Sequence, residues 1–219
     1  MVKLSYLENK IPQLFHAPFT CSFAVRLTAA WGDVALDVLP VKLGRTETKI
    51  EKQLLSVNPV GQVSTMVLPD ASVLTETSVC LIWVQSQSEN RDFRRDPNSA
   101  EYFQMLRWIS FCSTELHSKL LRIVFYDEAT EAVKENFRNL AKPRLHRLDT
   151  HLENRKTLVG KSYSAADAYL AWFLTLAPKA GVAFSSYKNL TAYFETLHQD
   201  GTLDSLLIED AALRSSLTT

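Results

Sequence analysis

Asn58-Pro59-Val60-Gly61-Gln62-Val63-Ser64-Thr65-Met66-Val67-Leu68-Pro69-Asp70-Ala71-Ser72-Val73-Leu74-Thr75-Glu76-Thr77 is the stretch on which the fold turns. Two short β-branched segments, 64–68 and 73–77, flank turn chemistry at Pro69-Asp70-Ala71-Ser72, which predicts a hairpin. Val79, Ile82 and Trp83 then recur at helical spacing, so the hairpin feeds directly into a helix. Glu76 and Thr77 fall in the first turn of that helix. Free backbone N–H groups and the positive dipole end favour an anion there, while the Glu76 carboxylate can hold a cation. The corner suits a zwitterion such as an amino-acid head group.

Upstream, Val2-Lys3-Leu4-Ser5-Tyr6-Leu7 alternates like a strand, but Gln13-Leu14-Phe15-His16 after Pro12 is assigned to the core sheet and residues 1–10 to an extension. Ala17-Pro18-Phe19-Thr20 makes a turn, and Cys21 to Ala30 carries Phe23, Ala24, Leu27 and Ala30 on one helical face. Val34 to Leu39 is the next strand candidate and Thr48 to Ser56 a short helix. The order βαβαββα folds as a four-stranded mixed sheet with helices on its faces.

Downstream, Gln85 to Ala100 turns to Ser, Asn, Arg and Asp, the composition of a linker. Beyond it the periodicity is helical only. Tyr102, Met105, Leu106, Ile109, Leu116 and Leu120 trace one helix, and Ala132 to Leu152 another. Ser164-Ala165-Ala166-Asp167 has the form of a capping box before an apolar run to Leu174, which reads as a buried central helix. The expected organisation is an α+β chain: residues 1–88 a sheet domain, 89–99 a linker, 100–219 an all-helical domain.

With 219 residues, 46% of them hydrophobic, the chain can bury a substantial core. Lys plus Arg and Asp plus Glu both number 24, so no net charge drives it toward nucleic acid or an anionic membrane. The start has no long apolar segment and no apolar run reaches spanning length, so a cytoplasmic protein is expected. Cys21, Cys80 and Cys112 lack metal-type spacing, which argues against a disulfide framework or a metal site. Cys21, at a strand-to-helix turn, is placed where a helix N-terminus lowers a thiol pKa. Cys80 and Cys112 sit inside apolar helical patterns and read as small core residues.

Three features together resemble the cytosolic glutathione transferase superfamily: Asn58-Pro59-x-Gly61-Gln62-Val63, Leu74-Thr75-Glu76-Thr77, and Gly160-x-x-Tyr163-Ser164-x-Ala166-Asp167-Ala168. Pro18-x-x-Cys21-Ser22 and Thr114-Glu115-Leu116-His117 are most similar to the bacterial beta class. The resemblance implies a thioredoxin-like N-terminal domain followed by an all-α domain, glutathione as cosubstrate, a small electrophile in a cleft, and a homodimer. It implies that Cys21 lies at the glutathione sulfur with His117 as catalytic partner. Glutathione would be held by Glu76 and Thr77 at its γ-glutamyl amine and carboxylate, by the Val63 backbone, by Gln62 and by Ser110, seven residues before His117 on the same face of an α-helix. Lys42 and Arg45 are candidates for the glycyl end, with a solvated position as the alternative. Ser164 and Asp167 are assigned to folding.

The activity so implied is conjugation of glutathione to electrophiles or glutathione-dependent thiol transfer. The alternatives are a non-catalytic binding or regulatory protein of this fold, and a glutathione-dependent isomerase, which the zeta-class likeness of Cys21-Ser22-Phe23-x-Val25-Arg26 suggests. Two positions depart from the family pattern. Ser64 stands where the superfamily has a proline preceded by a cis bond; a cis bond before a non-proline residue costs roughly 2.5–4 kcal/mol, so a trans bond is expected. Phe19 stands where the beta class has a glycine.

Overall fold

A computed structural model describes residues 10–44 and 47–217. The extension over residues 1–9 and Arg45 therefore lie outside the described residues. Contacts divide the chain into two units. The first runs to Asn90 and also takes the stretch from Thr202 onward; the second spans Arg91–Gly201.

In the first unit, β1 (Gln13–His16), α1 (Ser22–Trp31), β2 (Asp37–Pro40), α2 (Lys49–Val57), β3 (Thr65–Val67), β4 (Val73–Thr75) and α3 (Thr77–Gln87) follow the expected order. The sheet order is β2-β1-β3-β4. β1 is parallel to β2, with Leu14 opposite Val38. It is antiparallel to β3, with Leu14 opposite Met66, and β3 pairs antiparallel with β4. Leu14, Phe15 and Met66 on the two central strands are fully buried, because helices cover the faces of these strands. Phe15 joins Ala17, Val41, Leu54 and Val67 in one core cluster, with Ile50 and Val57 of α2 packed against it. Helix α2 opens with a capping box: Thr48 Oγ1 accepts from the Glu51 N–H at 3.1 Å, and Glu51 Oε2 accepts from the Thr48 N–H at 2.9 Å.

Two details differ from the sequence reading. Strand β2 begins at Asp37 rather than Val34, where Gln13 Nε2 donates to Asp37 Oδ2 at 2.8 Å across the parallel pair. On α3 the buried side chains are Thr77, Cys80, Leu81, Val84 and Gln85, while Val79 is 44% exposed. This helix is apolar around much of its circumference, so periodicity could not choose between the faces.

The second unit is helical: α4 (Arg91–Arg94), α5 (Ala100–Phe111), a π-helical segment (Cys112–Leu121), α6 (Arg122–Val124), α7 (Glu131–His151), α8 (Ala165–Leu176) and α9 (Lys188–Thr196). The expected linker thus contains the short helix α4. Helix α8 is the central one, buried from Ala165 to Leu174. Asp167 anchors its start by accepting from the N–H of Ser164 at 2.9 Å, the Ser164 hydroxyl at 2.7 Å, the N–H of Leu158 at 2.8 Å and the Tyr193 hydroxyl at 2.9 Å. Gly160, in the loop before it, has φ +69, and a Cβ there would stand 2.8 Å from Glu101 Oε2 and 2.9 Å from Arg95 Nη1. Only glycine fits both the left-handed backbone and that approach.

The last helix, α10 (Thr202–Ser216), packs on α1 and belongs to the first unit. The helical stretch expected as one domain over 100–219 is therefore divided. Besides its packing on α1, α10 is held there by Asp210, which is fully buried and bonded to His16 of β1 and Arg26 of α1.

Candidate functional site

The 58–65 loop is built around the Asn58 side chain. Its Nδ2 donates to the Gln62 carbonyl at 3.1 Å and to Thr65 Oγ1 at 2.9 Å, and its Oδ1 accepts from the Val60 N–H at 3.2 Å. Gly61 takes φ +66 in the same loop. These bonds hold Val63 and Ser64 at the entry to β3. The Val63–Ser64 peptide bond is cis, so the trans bond expected from the serine is corrected. That expectation weighed the isolated peptide alone, whereas Ser64 is 3% exposed and bonded on several sides.

Cys21 sits at the N-cap of α1 and is 6% exposed. Its thiol donates to the Val63 carbonyl at 3.3 Å. The Thr77 and Ser64 hydroxyls also hydrogen-bond the sulfur, and they lie 3.3 Å from each other. Cys21, Val63, Ser64 and Thr77 therefore meet at one point in the first unit. Burial pushes the Cys21 thiol up, and the hydroxyl and backbone bonds that favour a thiolate do not offset it. The lowered pKa expected at a helix N-terminus is corrected, because desolvation outweighs the helix dipole for a sulfur this enclosed.

Thr77 is buried and opens α3, whose first N–H groups have no intrahelical acceptor. Glu76, the N-cap, has φ +68 and an exposed side chain. Gln62 is exposed and Val63 half-buried, and Lys42 is half-buried after β2. Cys80 lies behind the site, its Sγ 4.0 Å from the Ser64 carbonyl and 3.9 Å from that of Leu74; burial, with Cys21 nearby, pushes its thiol up to about 12. Phe19 has φ +62, the backbone region that favours glycine. That conformation explains why a glycine would be at home here, and Phe19 keeps it.

Ser110 and His117 belong to the second unit. Ser110 is exposed. His117 is half-buried, its Nδ1 2.9 Å from the Tyr169 hydroxyl and its ring edge-on to Trp172 at 4.8 Å. Burial, and then the charge of Arg122, push its imidazole down to about 4. It is therefore neutral near pH 7, which leaves it hydrogen bonding rather than proton transfer from an imidazolium. The same-face pairing of Ser110 with His117 assumed α-helical spacing. Residues 112–121 are π-helical, and the wider i→i+5 turn removes that alignment.

Ser64 is the residue that sequence reasoning missed as a participant. It was visible as a hydroxyl in place of a proline, but only the fold brings it to the Cys21 sulfur. A cavity of about 960 Å³ in the first unit is lined by Trp31, Val34, Leu68, Trp83 and others, and by none of these site residues. Among the described residues, no group of three or more His, Cys, Asp or Glu side chains is placed to hold a metal ion, and no helix is long and apolar enough to cross a membrane.

Comparison with known proteins gives a consistent result. Residues 111–200 match the family model described as glutathione S-transferase, C-terminal domain. The chain is 27% identical over 201 residues to glutathione S-transferase GST-4.5 of Xanthomonas campestris pv. campestris, covering 89% of this chain and 97% of that one. Among solved structures, it is similar to a sphingomonad glutathione S-transferase complexed with glutathione at a TM-score of 0.84 and 25% identity, covering 91% of this chain and 98% of that one. A bacterial beta class glutathione S-transferase from Sphingomonas chungbukensis gives a TM-score of 0.83 at 26% identity, covering 90% and 98%.

Proposed function

The chain belongs to the cytosolic glutathione S-transferase superfamily and is most like its bacterial beta class, and from that premise we propose that it conjugates glutathione to small electrophiles. The observation that carries the reading is the convergence of Cys21, Val63, Ser64 and Thr77 beside the start of α3. The residues present fit glutathione. The exposed Glu76 carboxylate suits the γ-glutamyl ammonium, and the opening amides of α3 with the Thr77 hydroxyl suit its carboxylate. The Val63 backbone is the candidate partner for the cysteinyl amide, and Gln62 for a carboxylate.

A thiol held protonated is a donor rather than a nucleophile. Cys21 is accordingly assigned a switch of its single S–H from the Val63 carbonyl to the glutathione sulfur when glutathione is bound, which stabilises that sulfur as the attacking thiolate. The electrophile's leaving group departs as the new carbon–sulfur bond forms. His117 and Ser110 are proposed as further contributors on the beta-class likeness, with His117 acting as a neutral side chain. By the same likeness the protein is proposed to be a cytoplasmic homodimer, so light scattering should return about twice the 24.8 kDa of one chain.

The test is glutathione binding by calorimetry, together with conjugation of an activated aryl halide. Losing one hydrogen bond to a charged group costs about 1.5–3 kcal/mol, so Cys21→Ala should lower kcat/KM roughly 10- to 100-fold, while Cys21→Ser, which keeps a donor, should retain most of it. A wild-type protein that neither binds glutathione at millimolar concentration nor forms conjugate would sink the reading.

A further inference from the structure

The turn that carries Cys21 is fastened to the far end of the chain. Asp210 of α10 is fully buried, and each of its carboxylate oxygens is engaged by the segment from His16 to Arg26. Its Oδ2 accepts from the Phe19 N–H at 2.6 Å. Its Oδ1 accepts from His16 Nε2 at 2.9 Å and from Arg26 Nη1. Arg26 Nη2 also reaches Glu209 Oε2 at 2.5 Å, at a side chain 58% exposed.

The chain of bonds continues past His16. A carboxylate can only accept, so the buried His16 carries its proton on Nε2, and its Nδ1 accepts from the Ser22 hydroxyl 2.8 Å away. Ser22 Oγ in turn accepts from the Ala17 N–H at 3.3 Å. Phe19, two residues before Cys21, and Ser22, one residue after it, are thus both tied to one carboxylate, the first directly and the second through His16.

We propose that Asp210 is a positioning residue for Cys21, holding the left-handed Phe19 corner and the first residue of α1 so that the Cys21 sulfur stays on the Val63 carbonyl. The inference rests on the proposed role of Cys21. Two features go beyond what seating a helix requires. An apolar side chain would pack α10 on α1 without the cost of burying an ionised carboxylate, and such a group is tolerated only where donors surround it. Among the described residues, the donors bonded to Asp210 are His16, Phe19 and Arg26, all from the segment that contains Cys21. The N–H it accepts from Phe19 belongs to a non-glycine residue at φ +62, a conformation that L-residues disfavour and that needs outside support.

The experiment compares Asp210→Asn, Ser22→Ala and Glu209→Gln in the full chain. Three quantities are read: the pH profile of Cys21 alkylation by iodoacetamide, located by peptide mass spectrometry; kcat and the KM for glutathione; and the unfolding midpoint. Misplacing a reacting group by about 1 Å can cost on the order of 10²-fold, so Asp210→Asn should lower kcat about tenfold or more with a smaller change in KM, and should shift the alkylation profile. Ser22→Ala removes the other end of the relay with little change in volume. It should shift the alkylation profile in the same direction even if Asp210→Asn folds poorly. Glu209→Gln, on the same helix and the same arginine, should leave all three within about twofold, as surface pairs contribute little. Wild-type alkylation profiles in both Asp210→Asn and Ser22→Ala would overturn the inference alone. Absence of glutathione binding and turnover in the wild type would overturn the functional reading alone, because the alkylation profile still reports on Asp210.

Discussion

Cys21 and His117 are both held in their neutral forms by the same force, removal from water, and this sets what each can do. A raised thiol and an imidazole pushed down to about 4 are a donor and a neutral hydrogen-bonding ring, not a thiolate and an acid. For His117 the linkage has a definite sign. Its folded pKa lies below the unfolded value near 6.5, so the stabilisation is fully present above about pH 6.5 and is lost as pH falls toward 4. At roughly 1.4 kcal/mol per pKa unit the gap is worth about 3 kcal/mol at most, reduced by the solvent that reaches a half-buried ring. Urea unfolding between pH 7 and pH 4 should therefore show a shallower loss of stability in His117→Gln than in the wild type; parallel curves would refute this. His16 and His151 are also held low by burial, so the comparison must be between variants rather than against a fixed slope. At this scale Cys21 and Thr77 were legible as residue types at predicted helix starts. Their protonation was not, because burial is a property of packing.

At the scale of elements, two helices open with the same motif and different consequences. Thr48 and Glu51 satisfy each other's backbone at the start of α2, where the Thr48 side chain is exposed to solvent. Ser164 and Asp167 do the same for α8, but Asp167 is fully buried and also accepts from Leu158 and Tyr193. Thr48→Ala should cost about 1 kcal/mol, as an ordinary cap does. Asp167→Ala should cost about 3 kcal/mol or more, because it strands several buried donors at once. Denaturant midpoints at unchanged m-value would measure both, and equal losses would contradict the argument. The sequence reading picks out the Ser164–Asp167 motif, and Thr48 only as the start of a short helix, although both motifs are local. It could not show that one of them collects donors from a loop and from α9. The same limit explains α3, whose helical periodicity did not say which apolar face is covered, and the π-helical stretch, where a hydrogen-bond shift of one residue realigns every side chain after it.

At the scale of the whole chain, the informative fact is that α10 completes the first unit. Ending the chain after Gly201 would remove Asp210 together with the helix that packs on α1, and leave His16 and Arg26 without their carboxylate partner. Losing this ion pair and the cover that α10 gives to α1 should lower the unfolding midpoint of the sheet unit and increase its proteolysis. An unchanged midpoint would show that α10 is dispensable for folding.

By itself the sequence determined the order of elements, the hairpin leading into a helix, the helical second half and the family. Each of these is written in short-range periodicity, turn chemistry and motif spacing. Only the tertiary structure decided which hydroxyls reach the Cys21 sulfur, which protonation states burial enforces, which face of α3 is covered, and that a carboxylate near the end of the chain holds the turn near its beginning. Those outcomes depend on contacts between residues distant in sequence. Asp210 and His16 are 194 positions apart, and no local pattern records that they meet.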